Sequence, residues 1–229
     1  MHGVKQGLSR LLDRFAERVA RRRLAMELHP LHALEREASQ ASVAYIRAHM
    51  AGAIPLRERF ELLDYALAQA GSGLYLELGV HEGESIRRIA RRAPRVYGFD
   101  TFSGLPERQQ GTPWFRGRFD VGGRLPRVPG NVELIRGDFR ETLPGFLAAQ
   151  QQPVAFVHVD CDLYASTKGA LDALADRLPP GAILLFDDYF NYPGWEECEH
   201  RALLEFARER ERAYEYLAFA RHQVCVRLG

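Results

Sequence analysis

A chain of 229 residues, 46% apolar and 27% charged, suits one domain with a modest extension and a sizeable core, which excludes disorder as a description of the whole. Its 31 Lys and Arg balance 30 Asp and Glu, so no general electrostatic pull draws it to nucleic acid. No apolar run approaches the roughly 20 residues of a membrane helix, and no uninterrupted apolar stretch marks a signal peptide.

Residues 1–70 read as a helical extension, rich in Ala, Arg, Leu and Glu. Leu8, Leu11, Leu12, Phe15 and Val19 share one helix face, with Arg14, Arg18, Arg21 and Arg22 opposite. A second helix is expected over 30–49. A third is expected from Pro55, with Leu56, Phe60, Leu63 and Leu67 on one face. This extension is expected to pack near a functional site or to mediate self-association into a homo-oligomer.

After Gly71-Ser72-Gly73 the pattern changes. Over 71–229, β-rich runs at 74–78, 95–99, 132–135, 154–159 and 182–186 alternate with helical segments at 84–92, 140–150 and 166–177. That alternation predicts an α/β fold, a doubly wound and mostly parallel sheet. A helix over 196–212 and strands at 214–219 and 223–228 follow, the last two forming a hairpin at the sheet edge and bringing the strands to seven. Residues 101–130 form a long Gly-, Pro- and Arg-rich connection carrying Trp114, Phe115 and Phe119, read as a lid over a site. Cys161, Cys198 and Cys225 are too few and scattered for a disulfide framework or a zinc site, and fit buried thiols of a cytoplasmic protein.

Chemistry collects at the strand ends, where open α/β sheets bind their ligands. The first run ends in Glu77-Leu78-Gly79-Val80-His81-Glu82-Gly83-Glu84-Ser85. Gly79 and Gly83 permit a sharp turn and close approach of a ligand; the spacing is not the dinucleotide fingerprint, which disfavours a dehydrogenase. Glu77 can organise a loop that receives a zwitterionic amino-acid group, while Glu82 and Glu84 make a poor phosphate cradle. Asp100 suits ribose hydroxyls and Asp138 an adenine amino group. Each of these also has a plain reading, as a strand-to-helix turn or a loop cap. Asp160 and Asp162 end the fourth run, and Asp187 and Asp188 the fifth. Four carboxylates at neighbouring strand ends call for a cation, and oxygen ligands select Mg²⁺, Ca²⁺ or Mn²⁺. His158 reads as a hydrogen-bonded core histidine. His200 reads as a rival base to Asp162 or as a partner of Glu196.

Five segments, 77–85, 98–107, 137–144, 158–167 and 186–194, together resemble the macrocin O-methyltransferase family. The resemblance implies a class I, S-adenosylmethionine-dependent and Mg²⁺-dependent O-methyltransferase acting on a sugar or glycoside hydroxyl of a natural product. It implies that Glu77, Gly79, Gly83 and Ser85 hold the methionine end of the cofactor. Asp100 would take the ribose, with Thr101 and Ser103 beside it, and Asp138 would lie at the adenine. Asp160, Asp187 and Asp188 would ligate Mg²⁺, Asp160 also touching the cofactor. Asp162 would be the general base, with His200 as the second catalytic candidate. The alternatives are a metal-dependent catechol-type O-methyltransferase and a non-catalytic nucleoside-binding protein.

Overall fold

The computed structural model describes residues 14–24 and 28–229. Leu8, Leu11 and Leu12 of the first expected helical face lie outside them. Helical backbone over 14–24 (α1) presents Phe15 and Val19 to solvent. α2 (Pro30–His49) has Pro at its first position and His29 as N-cap, the His29 ring accepting from the Leu31 amide. A two-residue strand, β1 (Ile54–Pro55), precedes α3 (Arg59–Gln69).

The remaining elements follow the expected alternation: β2 (Leu74–Leu78), α4 (Glu84–Ile89), β3 (Val96–Asp100), β4 (Val132–Arg136), α5 (Phe139–Ala149), β5 (Val154–Val159), α6 (Tyr164–Leu174), β6 (Ile183–Phe186), α7 (Glu199–Glu209), β7 (Tyr214–Ala220) and β8 (Gln223–Leu228). They form one eight-stranded sheet in the order β1-β7-β8-β6-β5-β2-β3-β4. Every pairing is parallel except β6–β8 and β7–β8. The eighth strand is β1, which bridges Ala218 and Phe219 of β7 and so sits outside the expected hairpin. Two residues are too few to show a period of two, and Pro55 reads more readily as a helix start. The helix expected over 196–212 begins instead as a 3₁₀ turn, Trp195–Glu197, and restarts at Glu199 after an irregular Cys198 (φ −110°, ψ −128°).

Strand order reverses between β2 and β5, and the two pair in parallel. This switch point opens a crevice at the carboxyl ends of the sheet. Strands β2, β5 and β6 are buried along their whole length, because helices cover both faces. On one face Leu62, Leu63, Ala66 and Leu67 of α3 pack on Ile183, Leu185, Ala218 and Cys225. On the other, Leu171, Leu174, Leu203 and Phe206 pack on Val157, Leu184 and Val226. α2 reaches the segment after β6: the Asn191 amide donates to Ser42 Oγ (2.9 Å), and the Tyr45 ring lies edge-on to Trp195 (5.6 Å). Among the described residues no helix is long and apolar enough to cross a membrane. All three cysteines are free and buried.

Candidate active site

A cavity of about 310 Å³ lies at the switch point, walled by the ends of β2, β3, β5 and β6, the start of α5 and the long connection after β3. It brings together Gly79, Asp100, Thr101, Asp138, Asp160, Asp162, Asp187 and Asp188. Glu77, Gly83, Ser85, Ser103 and His200 are not on its wall.

The β2 turn has a strict backbone requirement. Gly79 sits at φ 91°, and a Cβ there would fall 1.7 Å from the Asp160 carbonyl oxygen, so only glycine lets the β2 and β5 ends approach. Asp100 holds this turn from the neighbouring strand. Its Oδ2 accepts from the Val80 amide (2.8 Å) and the His81 amide (2.7 Å), and its Oδ1 from the Phe102 amide (2.7 Å). Three of a carboxylate's roughly four acceptor positions are thus taken by backbone. Asp138 lines the cavity and also caps α5, accepting from the Arg140 amide (2.9 Å) and from its guanidinium (2.5 Å). Those Arg140 contacts hold the Asp138 carboxyl below the ordinary range. Ser103 is exposed and bridges to Asp120 in the lid.

Glu77 lies beneath the turn, fully buried, with Oε1 on His158 Nδ1 at 2.8 Å. The other His158 nitrogen, Nε2, faces Asp187 Oδ1 at 3.5 Å. Burial opposes a charge on His158, but its contacts with Asp187 and Glu77, and the charge of Asp160, outweigh that and hold its pKa well above the ordinary value. His158 is therefore a buried, hydrogen-bonded histidine whose acidic neighbours favour its protonated form. The second Glu77 oxygen, Oε2, is buried without a hydrogen-bond partner.

Asp160, Asp162, Asp187 and Asp188 meet on one side of the cavity. Asp162 is buried and adopts left-handed backbone (φ 61°), a conformation Asp tolerates better than most residues but still at a cost of about 1 kcal/mol. Burial raises the pKa of Asp160, Asp162 and Asp188 well above the ordinary value. The charge of Asp187 adds to this at Asp160, that of Asp160 at Asp162, and that of Asp162 at Asp188. Asp187 goes the other way: burial pushes it up, but His158 and a hydrogen bond from Gln223 bring it below the ordinary value.

The donor set fits a hard divalent cation. Its ligands are carboxylate oxygens, they crowd one wall, and protons are what relieve the crowding where no cation does. His158, Asp160 and Asp187 offer ligand atoms within 4.8 Å of one another. A consequence for stability follows. Groups whose folded pKa is raised stabilise the fold at low pH and lose that contribution as pH climbs through the folded pKa. Asp160, Asp162, Asp188 and His158 share this sign; Asp187 and, across the cavity, Asp138 oppose it. Metal-free protein is expected to lose melting temperature as pH rises above the ordinary carboxylate range, about 4. Added Mg²⁺ should raise the melting temperature more at neutral pH than at pH near 5, because cation and protons compete for the same oxygens. Thermal melts in EDTA and in Mg²⁺ across pH check this, and a pH-independent Mg²⁺ effect would contradict it.

Several wall residues carried no sequence signal. Arg59, at the start of α3, reaches the cavity and pairs with Glu84. Glu199, fully buried at the start of α7 and just behind the wall, accepts from the Asp188 amide (3.0 Å) and so fixes the end of β6. A glutamate in an amphipathic helix reads as solvated, and no spacing rule points it inward. The 101–130 connection does cover the site: Leu105, Pro106, Trp114, Arg118 and Phe119 line it. The Arg118 guanidinium lies 4.9 Å from the ring centres of both Trp114 and Phe119, a cation–π clasp that gives the lid its own small core. His200 is packed among Tyr45 (4.7 Å), Trp195 (4.7 Å) and Tyr189 (5.2 Å). Its Nδ1 faces the Glu196 carbonyl rather than the carboxylate, and burial lowers its pKa to about 4.

A mostly parallel sheet with helices on both faces, a glycine turn after the central strand and a ligand-sized crevice at the switch point match the fold of the class I methyltransferases. Residues 76–189 match the family model described as a methyltransferase domain. The chain is 32% identical to the 8-demethyl-8-(2,3-dimethoxy-alpha-L-rhamnosyl)-tetracenomycin-C 4'-O-methyltransferase of Streptomyces olivaceus, over 58% of this chain and 60% of that protein. The match thus spans less than two thirds of that curated relative. Among solved structures, the calicheamicin methyltransferase CalS11 superposes with a TM-score of 0.61 at 26% identity, covering 74% of this chain and 80% of that one. The O-methyltransferase NovP shares the fold, with a TM-score of 0.56 at 21% identity over 74% and 78% of the two chains. The resemblance read from the five motifs agrees with these relatives.

Proposed function

We propose that this chain transfers a methyl group from S-adenosylmethionine to a hydroxyl of a sugar or glycosylated natural product, with Mg²⁺ held by Asp160, Asp187 and Asp188. The observation that carries this reading is the meeting, in one cavity, of the β2 glycine turn and the four aspartates of the β5 and β6 ends. The activities of two relatives support the acceptor class: one is a rhamnosyl-tetracenomycin 4'-O-methyltransferase, and CalS11 is a TDP-rhamnose 3'-O-methyltransferase.

S-adenosylmethionine supplies an electrophilic methyl on a sulfonium. A divalent cation supplies positive charge that lowers the pKa of a hydroxyl brought beside it. The chain's own residues do the rest. Gly79 keeps the turn open to the cofactor, and Asp100 fixes that turn through the Val80 and His81 amides. Asp162 is the base, its carboxylate taking the hydroxyl proton as the new bond forms. Trp114, Phe119 and Leu105 close the lid side and exclude water. Exposed Phe15, Val19, Leu31 and Leu34 of α1 and α2 support self-association through the N-terminal helices.

Calorimetric titration of S-adenosylmethionine, once in Mg²⁺ and once in EDTA, tests the reading. Binding in both buffers is expected, along with a separate Mg²⁺ isotherm. Absence of binding in both would overturn the cofactor assignment and return the nucleoside-binding alternative.

A further inference from the structure

We infer that His158 is a positioning residue that aims the Asp187 carboxylate, so that one oxygen is anchored and the other is left for the cation. This rests on the proposed cation role of Asp187.

Three adjacent strands build the arrangement. His158 of β5 is the register partner of Glu77 on β2 and of Leu185 on β6. Asp187 follows Leu185 by two residues and so returns to the same face of the sheet. The imidazole therefore spans Glu77 on one side and Asp187 on the other, at 2.8 Å and 3.5 Å. His158 and Glu77 are both buried. Gln223 of β8, also buried, donates Nε2 to the same oxygen, Asp187 Oδ1. The Asp187 amide is fixed as well, on the Val159 carbonyl (2.9 Å). Backbone and Oδ1 are thus held from two strands that flank β6, β5 and β8, while Oδ2 accepts no hydrogen bond from the described residues. A carboxylate with one oxygen saturated by donors and one bare presents a single-oxygen ligand in a fixed direction. His158 also lies within ligand distance of Asp160 and Asp187. Its two nitrogens are nonetheless each directed at a carboxylate oxygen, Glu77 Oε1 and Asp187 Oδ1. Glu77 takes a role distinct from cofactor contact: it fixes the ring that fixes Asp187.

The test measures Mn²⁺ affinity by electron paramagnetic resonance for the wild type, His158→Gln and Gln223→Met. Loss of an outer partner of a metal ligand weakens metal binding by about 10–100-fold, and that is the expectation for His158→Gln. Gln223→Met should shift in the same direction by less. S-adenosylhomocysteine affinity in EDTA should not change in either variant, and saturating Mn²⁺ should restore most of kcat to His158→Gln, a rescue that general structural damage would not allow. Spin-echo spectra of the Mn²⁺-loaded wild type should lack a nitrogen coupling. A nitrogen coupling that disappears in His158→Gln would make His158 a ligand and overturn the positioning role. Unchanged Mn²⁺ affinity in a folded His158→Gln would overturn it too. If that variant does not fold, unchanged affinity in Gln223→Met does so. A wild type that binds no Mn²⁺ removes the cation reading itself and this inference with it, an outcome distinct from a bound metal that ignores residue 158.

Discussion

Asp188→Ala is expected to lower methyl-transfer turnover by roughly 10³-fold, the loss of about 4 kcal/mol of transition-state stabilisation, while leaving a folded protein that still binds S-adenosylhomocysteine. The case for a folded variant is specific. The bonds residue 188 gives to its surroundings are backbone bonds: its amide donates to Glu199 Oε2 and its carbonyl accepts from the Tyr192 hydroxyl at 3.0 Å. Alanine keeps both. What it removes is a carboxyl crowded by burial and by Asp162 and Asp187. In EDTA, then, the variant should melt no lower than the wild type, and removal of a like charge should favour it at neutral pH. In Mg²⁺ the order should invert, because the wild type gains ligand stabilisation and the variant gains little. Turnover at the wild-type level would sink the metal assignment. A variant that melts lower in both buffers would instead give Asp188 a structural task not visible in its contacts.

How far the sequence foretold this site depends on what each residue's role requires. The strand ends were legible because a buried parallel strand is a short apolar run, and Gly79, Asp100, Asp138, Asp160 and Asp187 each stand within two residues of where such a run stops. The neighbouring of β5 and β6, and with it the meeting of four carboxylates, is what the doubly wound class leads one to expect, since consecutive strands there usually lie side by side. The lid was legible from its length and from aromatic residues that open solvent would not keep. The partners of each carboxylate were not legible. Asp100 and Asp138 both reach the cavity, yet their oxygens bond first to nearby amides, and the geometry of a three-residue turn decides that. Glu199 and Arg59 were missed for a related reason: each enters from an element whose packing angle no periodicity encodes. β1 was missed because its existence depends on β7 being there to pair with it.

The second large effect concerns the proton. Asp162→Asn is expected to cost about 10²–10⁴-fold in kcat, the usual worth of a general base, with cofactor affinity retained. Asparagine is the right probe. It keeps the side-chain shape, it accepts the left-handed backbone that residue 162 requires (φ 61°), and it cannot take a proton. A drop confined to kcat, with S-adenosylmethionine binding intact, would match a group that acts only on the reacting hydroxyl. The pH profile carries a second, independent signature. Burial and the charge of Asp160 hold the Asp162 carboxyl protonated to unusually high pH, a state in which it cannot act as base. A cation on the neighbouring carboxylates cancels that repulsion and lowers the Asp162 pKa. The acid limb of kcat/KM in the wild type should therefore move to lower pH as Mg²⁺ is raised, and should vanish in Asp162→Asn. Equal rates in wild type and variant would place the base elsewhere, and His200 would not inherit the role. It is enclosed by Tyr45, Trp195 and Tyr189, off the cavity wall, so a base that survives Asp162→Asn would have to come from the acceptor itself or from another of the wall carboxylates.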